Sequence, residues 1–301
     1  GPTVLYAYRQ RGDEMSKRKF TEIPQPFICT ILSDSNPTDS IRSIRLSDYD
    51  GTDAYEMNLM MLRKEFLNEK DLRSVFQSTV KPIIVCHYRW DYEAPLDMGE
   101  EERFELLLNA VRWGASGIDL EADAYDPSSG PPEWSEEARA YSLDRSSKPR
   151  DWTTAPAAIQ RQREIIEEVH RLGGEVLMCA HTRVHLSVEE AVSMAKEMEA
   201  RGADIAKVVS VNTNYEDLLD SMRATLEIKN ALGIPFIMMS HGEHSKIGRV
   251  VCPILGSMLA FCTQPLSPGG YPLQPPIRAM KAAWENIDWS VTKAPDEERW
   301  L

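Results

Sequence analysis

A single (β/α)8 barrel is the fold class this sequence predicts, and three observations carry the prediction. Eight short apolar or β-branched runs recur along the chain, charged segments of helical period separate them, and no linker divides them. An open doubly wound sheet usually stops at five or six strands, so eight such units in about 260 residues favour a closed barrel.

The strand candidates, in order, are Phe27 to Leu32, Ala54 to Leu59, Pro82 to Tyr88, Gly117 to Ala122, Glu175 to Ala180, Ile205 to Val211, Pro235 to Ser240 and Ile254 to Phe261. Helical stretches are expected over Met60 to Gln77, Glu100 to Gly114, Ala157 to Leu172, Ser187 to Arg201, Asn214 to Leu232 and Pro276 to Asn286. Two crossovers look short: Ser35 to Asp50, and His244 to Pro253, which allows barely two turns. Helix-end signals include Ser187 with Glu190 three residues on, and Gly173-Gly174, Gly202 and Gly233 past three helices. Tyr125 to Pro156, rich in Pro, Ser, Glu and Trp, interrupts the rhythm between the fourth strand and its helix. In a barrel it projects from the C-terminal rim, as a lid, a specificity element or an oligomer arm. Residues 22–301 read as one domain. Gly1-Pro2 reads as a protease-cleavage scar, and the segment up to about Thr21 is left out of the fold argument.

At 42% hydrophobic and 27% charged residues the composition is that of a soluble globular protein. Lys plus Arg number 34 against 47 Asp plus Glu, and a net charge of -13 repels phosphate backbones, so no nucleic-acid partner is expected. The longest apolar runs, such as Ile83 to Cys86 and Pro235 to Met239, fall far short of a membrane helix, and no signal peptide is read. Five cysteines without a CxxC, four of them in strand-like runs, read as buried reduced thiols of a cytoplasmic protein.

Barrel chemistry comes from side chains at the carboxyl ends of strands. Those positions offer Glu56 and Asn58; His87, Arg89 and, in the following loop, Glu93; Asp119, Glu121 and Asp123; His181; Lys207; and Ser240-His241-Gly242. Lys207 stands out because Ile205-Ala206-Lys207-Val208-Val209 is otherwise apolar. Two readings remain open: a desolvated amine of lowered pKa that forms an imine with a carbonyl, or an ammonium paired with Glu121 or Glu56. His181 on the neighbouring strand would supply proton transfers at neutral pH. A metal site drawing on His181, His185, His241 and His244 with Asp119, Glu121 or Asp123 is the competing reading. It is weaker because His185 and His244 fall in loops and no ligand pair has fixed helical spacing, so neither metal nor cofactor is expected. Trp90, Trp134 and Trp152 read as packing of the long loop.

Seven pieces in order give the chain a specific likeness. They are Asp53-Ala-Tyr-Glu56, Arg89-Trp-Asp-Tyr-Glu93, Ile118-Asp119-Leu-Glu121, Cys179-Ala-His181, Ala203-Asp-Ile-Ala-Lys207, Met239 to Arg249 (Met-Ser-His-Gly-Glu-His-Ser-Lys-Ile-Gly-Arg), and Gly256-Ser257-Met-Leu-Ala-Phe261. With them the chain resembles the type I 3-dehydroquinate dehydratase family, Schiff-base-forming enzymes of the shikimate pathway, from about Phe27 to Pro276. The resemblance implies a class I aldolase-like barrel and a carbon–oxygen lyase acting through a lysine imine on a carboxylated cyclic β-hydroxy ketone. It further implies that Lys207 forms the imine, His181 is general base and acid, and Glu93 orients His181. Arg249 would clamp the substrate carboxylate, Glu56 and Arg89 would hold hydroxyls and neighbouring carboxylates, and Ser267 would open the substrate-covering loop. A homodimer is the family expectation.

The departures bear on specificity. Asn58 stands where the family has arginine, Met60 where it has aspartate, and Thr182 where an acidic or amide residue usually follows the histidine. Ser267-Pro-Gly-Gly-Tyr271 replaces Ser-Ala-Pro-Gly-Gln, so the loop glutamine is missing. Conserved chemistry on an altered pocket is the expectation, and dehydroquinate itself should turn over poorly. A divergent member acting on another ketone, and a non-catalytic sensor like the dehydroquinase-like region of fungal quinate-pathway repressors, are the alternatives. Retention of Lys207, His181 and Glu93 together argues against the sensor.

Overall fold

Alternating side chains sort each strand into an inner and an outer face, and that alternation builds the molecule. The computed structural model describes residues 18–89, 98–129, 136–144, 146–267 and 273–287. Its strands are β1 (Phe27–Leu32), β2 (Ala54–Asn58), β3 (Ile83–Cys86), β4 (Gly117–Glu121), β5 (Glu175–His181), β6 (Ile205–Val211), β7 (Phe236–His241) and β8 (Leu259–Cys262). All pairs are parallel, in the order β7-β6-β5-β4-β3-β2-β1-β8. The remaining seam is stitched by the Met258 amide donating to the Phe236 carbonyl at 2.7 Å. Phe27, Cys29, Ile84, Leu177, Cys179, Ile205, Ile237, Leu259 and Phe261 fill the inside. The alternate residues, among them Tyr55, Met57, Val85, Ile118, Met178, Val208 and Met238, pack outward with the helices.

The helices are α1 (Pro37–Asp50), α2 (Glu69–Phe76), α3 (Glu100–Trp113), α4 (Glu136–Leu143), α5 (Pro156–Arg171), α6 (Val188–Arg201), α7 (Tyr215–Ala231), α8 (Lys246–Leu255) and α9 (Ile277–Ile287). The first crossover is no short link. Asn36 caps it by accepting the Asp39 amide, Pro37 sets the first turn, and Gly51 at φ 88° ends a helix of 14 residues. The helix expected over Met60 to Gln77 breaks into turns at Leu59–Met61 and Lys64–Phe66 before Asn68 caps α2. The eighth strand starts later than expected, because α8 continues through Ile254 and Leu255 and stops at Gly256, φ 131°. That gives the seventh crossover 10 residues. The Ser187/Glu190 capping box on α6 and its Gly202 stop form as the sequence indicates.

The segment set aside at the start is not wholly outside the fold. Phe20, fully buried, lies edge-on to Phe27 with centroids 5.7 Å apart. Its amide donates to Glu175 Oε2 at 2.6 Å, and the Thr21 amide and hydroxyl donate to Glu175 Oε1. Glu175 is the first residue of β5, so this turn caps the barrel at the end opposite the site.

The insertion leaves β4 through Tyr125, whose φ of 65° is a rare conformation for a non-glycine residue. It returns to the barrel wall at Thr153, whose amide donates to the Ala122 carbonyl. Arg201 of α6 holds it there by donating to the carbonyls of Ala122 (3.0 Å) and Thr153 (2.7 Å) and stacking 4.5 Å over Trp152. Trp152 thus packs the long loop, while Trp90 and Trp134 lie outside the described residues.

Candidate active site

A barrel interior is built in layers contributed by alternate strands, and here one layer is charged. Glu56 of β2, Asp119 of β4, Lys207 of β6 and Phe261 of β8 meet on the inside. Lys207, 3% exposed, places Nζ 3.0 Å from Asp119 Oδ2, 3.7 Å from Glu56 Oε2 and 4.7 Å above the Phe261 ring. A charge so buried persists only when paired. Burial pulls the Lys207 pKa down, but Asp119 and then Glu56 outweigh it and hold the ammonium above the ordinary lysine value. Of the two readings open from sequence, the resting lysine is therefore the paired one. Glu121 is not its partner: that carboxylate accepts from Arg103 of α3 at 2.5 Å and from the Arg89 amide.

Two carboxylates facing one ammonium leave surplus negative charge in the layer. Burial raises the Glu56 pKa to about 7; Lys207 opposes the rise and Asp119 adds to it. Glu56 can therefore accept a proton near neutrality. Tyr88, just past β3, reaches into the same layer, its hydroxyl 3.1 Å from Asp119 Oδ2 and 3.4 Å from both Glu56 Oε1 and Lys207 Nζ.

One step nearer the mouth stand two imidazoles. Cys179 is the register partner of Lys207, which puts His181 two residues further along the adjacent strand. Its ring meets Tyr88 edge-on at 4.8 Å. Burial, then the charge of Lys207, holds His181 well below the ordinary histidine pKa, so it is neutral and able to accept a proton. His241 ends β7 on the other side of β6, where burial, Arg249 and Lys207 lower its pKa to about 4. The turn after it needs Gly242, at φ 93°, because a Cβ there would sit 2.4 Å from the Asn212 carbonyl oxygen. The four histidines of the metal reading do not converge. His185 is bonded to Asp220 at 3.1 Å, His244 lies edge-on to Tyr215, and no group of three ligating side chains gathers among the described residues.

The family model for type I 3-dehydroquinase matches residues 28–288. The chain belongs to the type I 3-dehydroquinase family. A 3-dehydroquinate dehydratase of Methanosarcina acetivorans is 25% identical over 242 residues, which is 79% of this chain and 86% of that protein. One of Neisseria gonorrhoeae is 32% identical over 130 residues, and that match spans 49% of its length, about half. Among solved structures, 3-dehydroquinate dehydratase of Geobacillus kaustophilus superposes with a TM-score of 0.71 at 19% identity, covering 90% of this chain and 95% of that one. The enzyme of Enterococcus faecalis does so at 0.65 and 19%, covering 88% and 95%. The fold is that of these barrels.

Around this charged layer the remaining candidates take different places. Arg249 on α8 is buried beside His241, donates to the Ser240 carbonyl at 3.1 Å, and its charge is felt by His241 and by Cys262 of β8. Asn58 is engaged on both sides: its amide donates to Ser33 Oγ at 3.0 Å and accepts from the Cys86 thiol at 2.6 Å. Ser267 bonds Ser43, which donates to Asp34, tying the start of the last loop to α1. Arg89 turns away from the lysine, donating to the carbonyls of Asp123 and Asp126 and pairing with Glu100 at 3.2 Å, so it anchors the root of the insertion. Glu93 and residues 268–272 lie outside the described residues. Asp119 as the main lysine partner and Tyr88 in the layer are not foreseen from the sequence, which names His241 only as a strand-end residue and a metal ligand. Period-two counting carries the signal: Tyr88 follows Ile84 and Cys86 on the inner face, and Asp119 alternates with outward Ile118 and Leu120.

Proposed function

We propose that this chain is a carbon–oxygen lyase that dehydrates a carboxylated cyclic β-hydroxy ketone, 3-dehydroquinate or a near relative, through an imine at Lys207. The observation that carries the reading is an ammonium buried between two carboxylates with a neutral imidazole on the next strand. When the ketone enters, Lys207 gives up a proton and its amine attacks the carbonyl carbon; loss of water leaves a protonated imine beside Asp119 and Glu56. That cation withdraws electrons from the adjacent carbon, whose proton His181 accepts. The imidazolium then returns the proton to the departing β-hydroxyl, and hydrolysis of the imine frees product and lysine. Arg249 binds the substrate carboxylate at the mouth and Ser267 a substrate hydroxyl. Glu93 orients His181, as the family likeness implies, and Arg89 acts by fixing the carboxylates around β4.

The pocket is read as altered. With Asn58 held by Ser33 and Cys86, no cation stands where the family's arginine would, so a substrate changed at that side is preferred over dehydroquinate. A cytoplasmic setting, supported by five buried free cysteines, and a homodimer belong to the same reading. No helix among the described residues is long and apolar enough to cross a membrane. Borohydride added with dehydroquinate tests the mechanism: a reduced adduct at Lys207 is expected, and labelling of a different lysine overturns it.

A further inference from the structure

Tyr88 has no assigned part, yet its hydroxyl touches every charged member of the layer. It lies 3.4 Å from the reacting Nζ of Lys207, 3.1 Å from Asp119 and 3.4 Å from Glu56, and its ring braces His181. No other described residue is bonded at once to the amine and both carboxylates. Resting on the imine reading, we propose that the Tyr88 hydroxyl is a catalytic proton carrier between Glu56 and the carbinolamine at Lys207, leaving His181 to the two proton transfers of the elimination.

The proton count closes. Lys207 ammonium passes a proton to the Glu56 carboxylate, and the freed amine attacks the ketone carbon, forming the N–C bond while the carbonyl π pair moves to oxygen. The proton shed by nitrogen goes to that oxygen through the phenol, giving the neutral carbinolamine. Tyr88 then donates its proton to the carbinolamine hydroxyl. The C–O bond breaks, water leaves, and the nitrogen lone pair forms the protonated imine. Glu56 returns its proton to the phenolate. Ammonium plus ketone have become iminium plus water, and tyrosine and glutamate end as they began. Hydrolysis runs the same route backwards. Burial, with Asp119 and Glu56, keeps the phenol protonated far above neutral pH, so it enters each cycle as a donor. His181, from a strand end nearer the mouth, is left free to face the carbon adjacent to the imine.

Tyr88→Phe keeps the ring against His181 and removes only the hydroxyl. In single-turnover trapping with 3-dehydroquinate and borohydride, the adduct at Lys207 should form about 100-fold more slowly, the usual worth of one positioned proton donor. Any primary isotope effect from deuterium at the carbon His181 deprotonates should shrink towards unity, because imine formation then limits turnover. His181→Ala should show the opposite pattern, with the adduct forming at the normal rate and no product appearing. Adduct formation at the unmodified rate in Tyr88→Phe overturns the proposal. Absence of any Lys207 adduct in the unmodified protein instead fails the imine reading itself. Should Tyr88→Phe not fold, difluorotyrosine at position 88 preserves the shape with a more acidic phenol. Facing Glu56, Asp119, Lys207, Cys86, Cys179 and His181, it should draw the alkaline limb of adduct formation to lower pH, and an unmoved limb refutes the role.

Discussion

Replacing Glu56 by glutamine should make the protein more stable above neutral pH while leaving it unchanged in acid. The surplus carboxylate in the charged layer is the reason. Burial raises the Glu56 pKa from 4.5 to about 7, a value that already includes the attraction of Lys207. Between those two values the folded chain keeps a proton on Glu56 that the unfolded chain has lost. Stability therefore falls as pH rises through the window and levels off above it. At about 1.4 kcal/mol per pH unit, the full effect is about 3 kcal/mol. Glu56→Gln removes this term but leaves Asp119 at 3.0 Å to pair the lysine. Urea denaturation followed by tryptophan fluorescence, at steps from pH 5 to pH 8, gives the difference, and titrating groups remote from Glu56 cancel between the two proteins. The variant should lie within about 1 kcal/mol of the parent near pH 5 and exceed it by about 3 kcal/mol near pH 8. A gap that does not change with pH, or a parent that gains on the variant as pH rises, would refute the charge count.

Lys207→Ala should abolish turnover and adduct together and cost about 3–5 kcal/mol, since it strands two buried carboxylates; circular dichroism melts and adduct mass read both. Exhaustive chelation should leave activity intact, because the imine supplies the electrophilic assistance a Lewis acid otherwise gives, and recovery only on adding metal would contradict it. Arg201→Ala should lose at least about 2 kcal/mol from its bonds to Ala122, Gln162 and Thr153. It should also expose Tyr125 to Pro156 to limited proteolysis, and resistance equal to the parent would show that the insertion holds without it. Dehydroquinate should show kcat/KM below about 10⁴ M⁻¹s⁻¹ in steady state, since losing a charge-assisted bond costs one to two orders of magnitude; a higher value means the altered pocket is compensated.

The parts legible in the sequence were those written in a short local pattern. Eight strand cores, the Ser187/Glu190 cap and the lysine in an apolar strand needed only their neighbours. Boundaries failed where a later residue decided them, as when Gly256 rather than Ile254 ended α8. Partners failed for another reason. Whether Lys207 meets Glu56, Glu121 or Asp119 depends on strand register around half the barrel and on Arg103 of α3 drawing Glu121 away, and neither is a local property. Arg89 shows the same limit: its residue type suits a substrate anion, yet its position beside the acidic start of the insertion engages it there.

Register also separates the chemistry of the site into two tiers. The even strands β2, β4, β6 and β8 supply Glu56, Asp119, Lys207 and Phe261, a layer that buries one ammonium between two carboxylates. The odd strands β5 and β7 supply His181 and His241 at their ends, a tier of imidazoles nearer the mouth, and Tyr88, just past β3, bridges it to the charged layer. A barrel places alternate strands in alternate layers whatever the residues are. His241 stands beside Arg249 at the mouth, and the charges of both Arg249 and Lys207 reach it. The pair below is the constrained part: Lys207 and Asp119, 3.0 Å apart and both buried, leave neither able to change alone, whereas Glu56 can give up its charge.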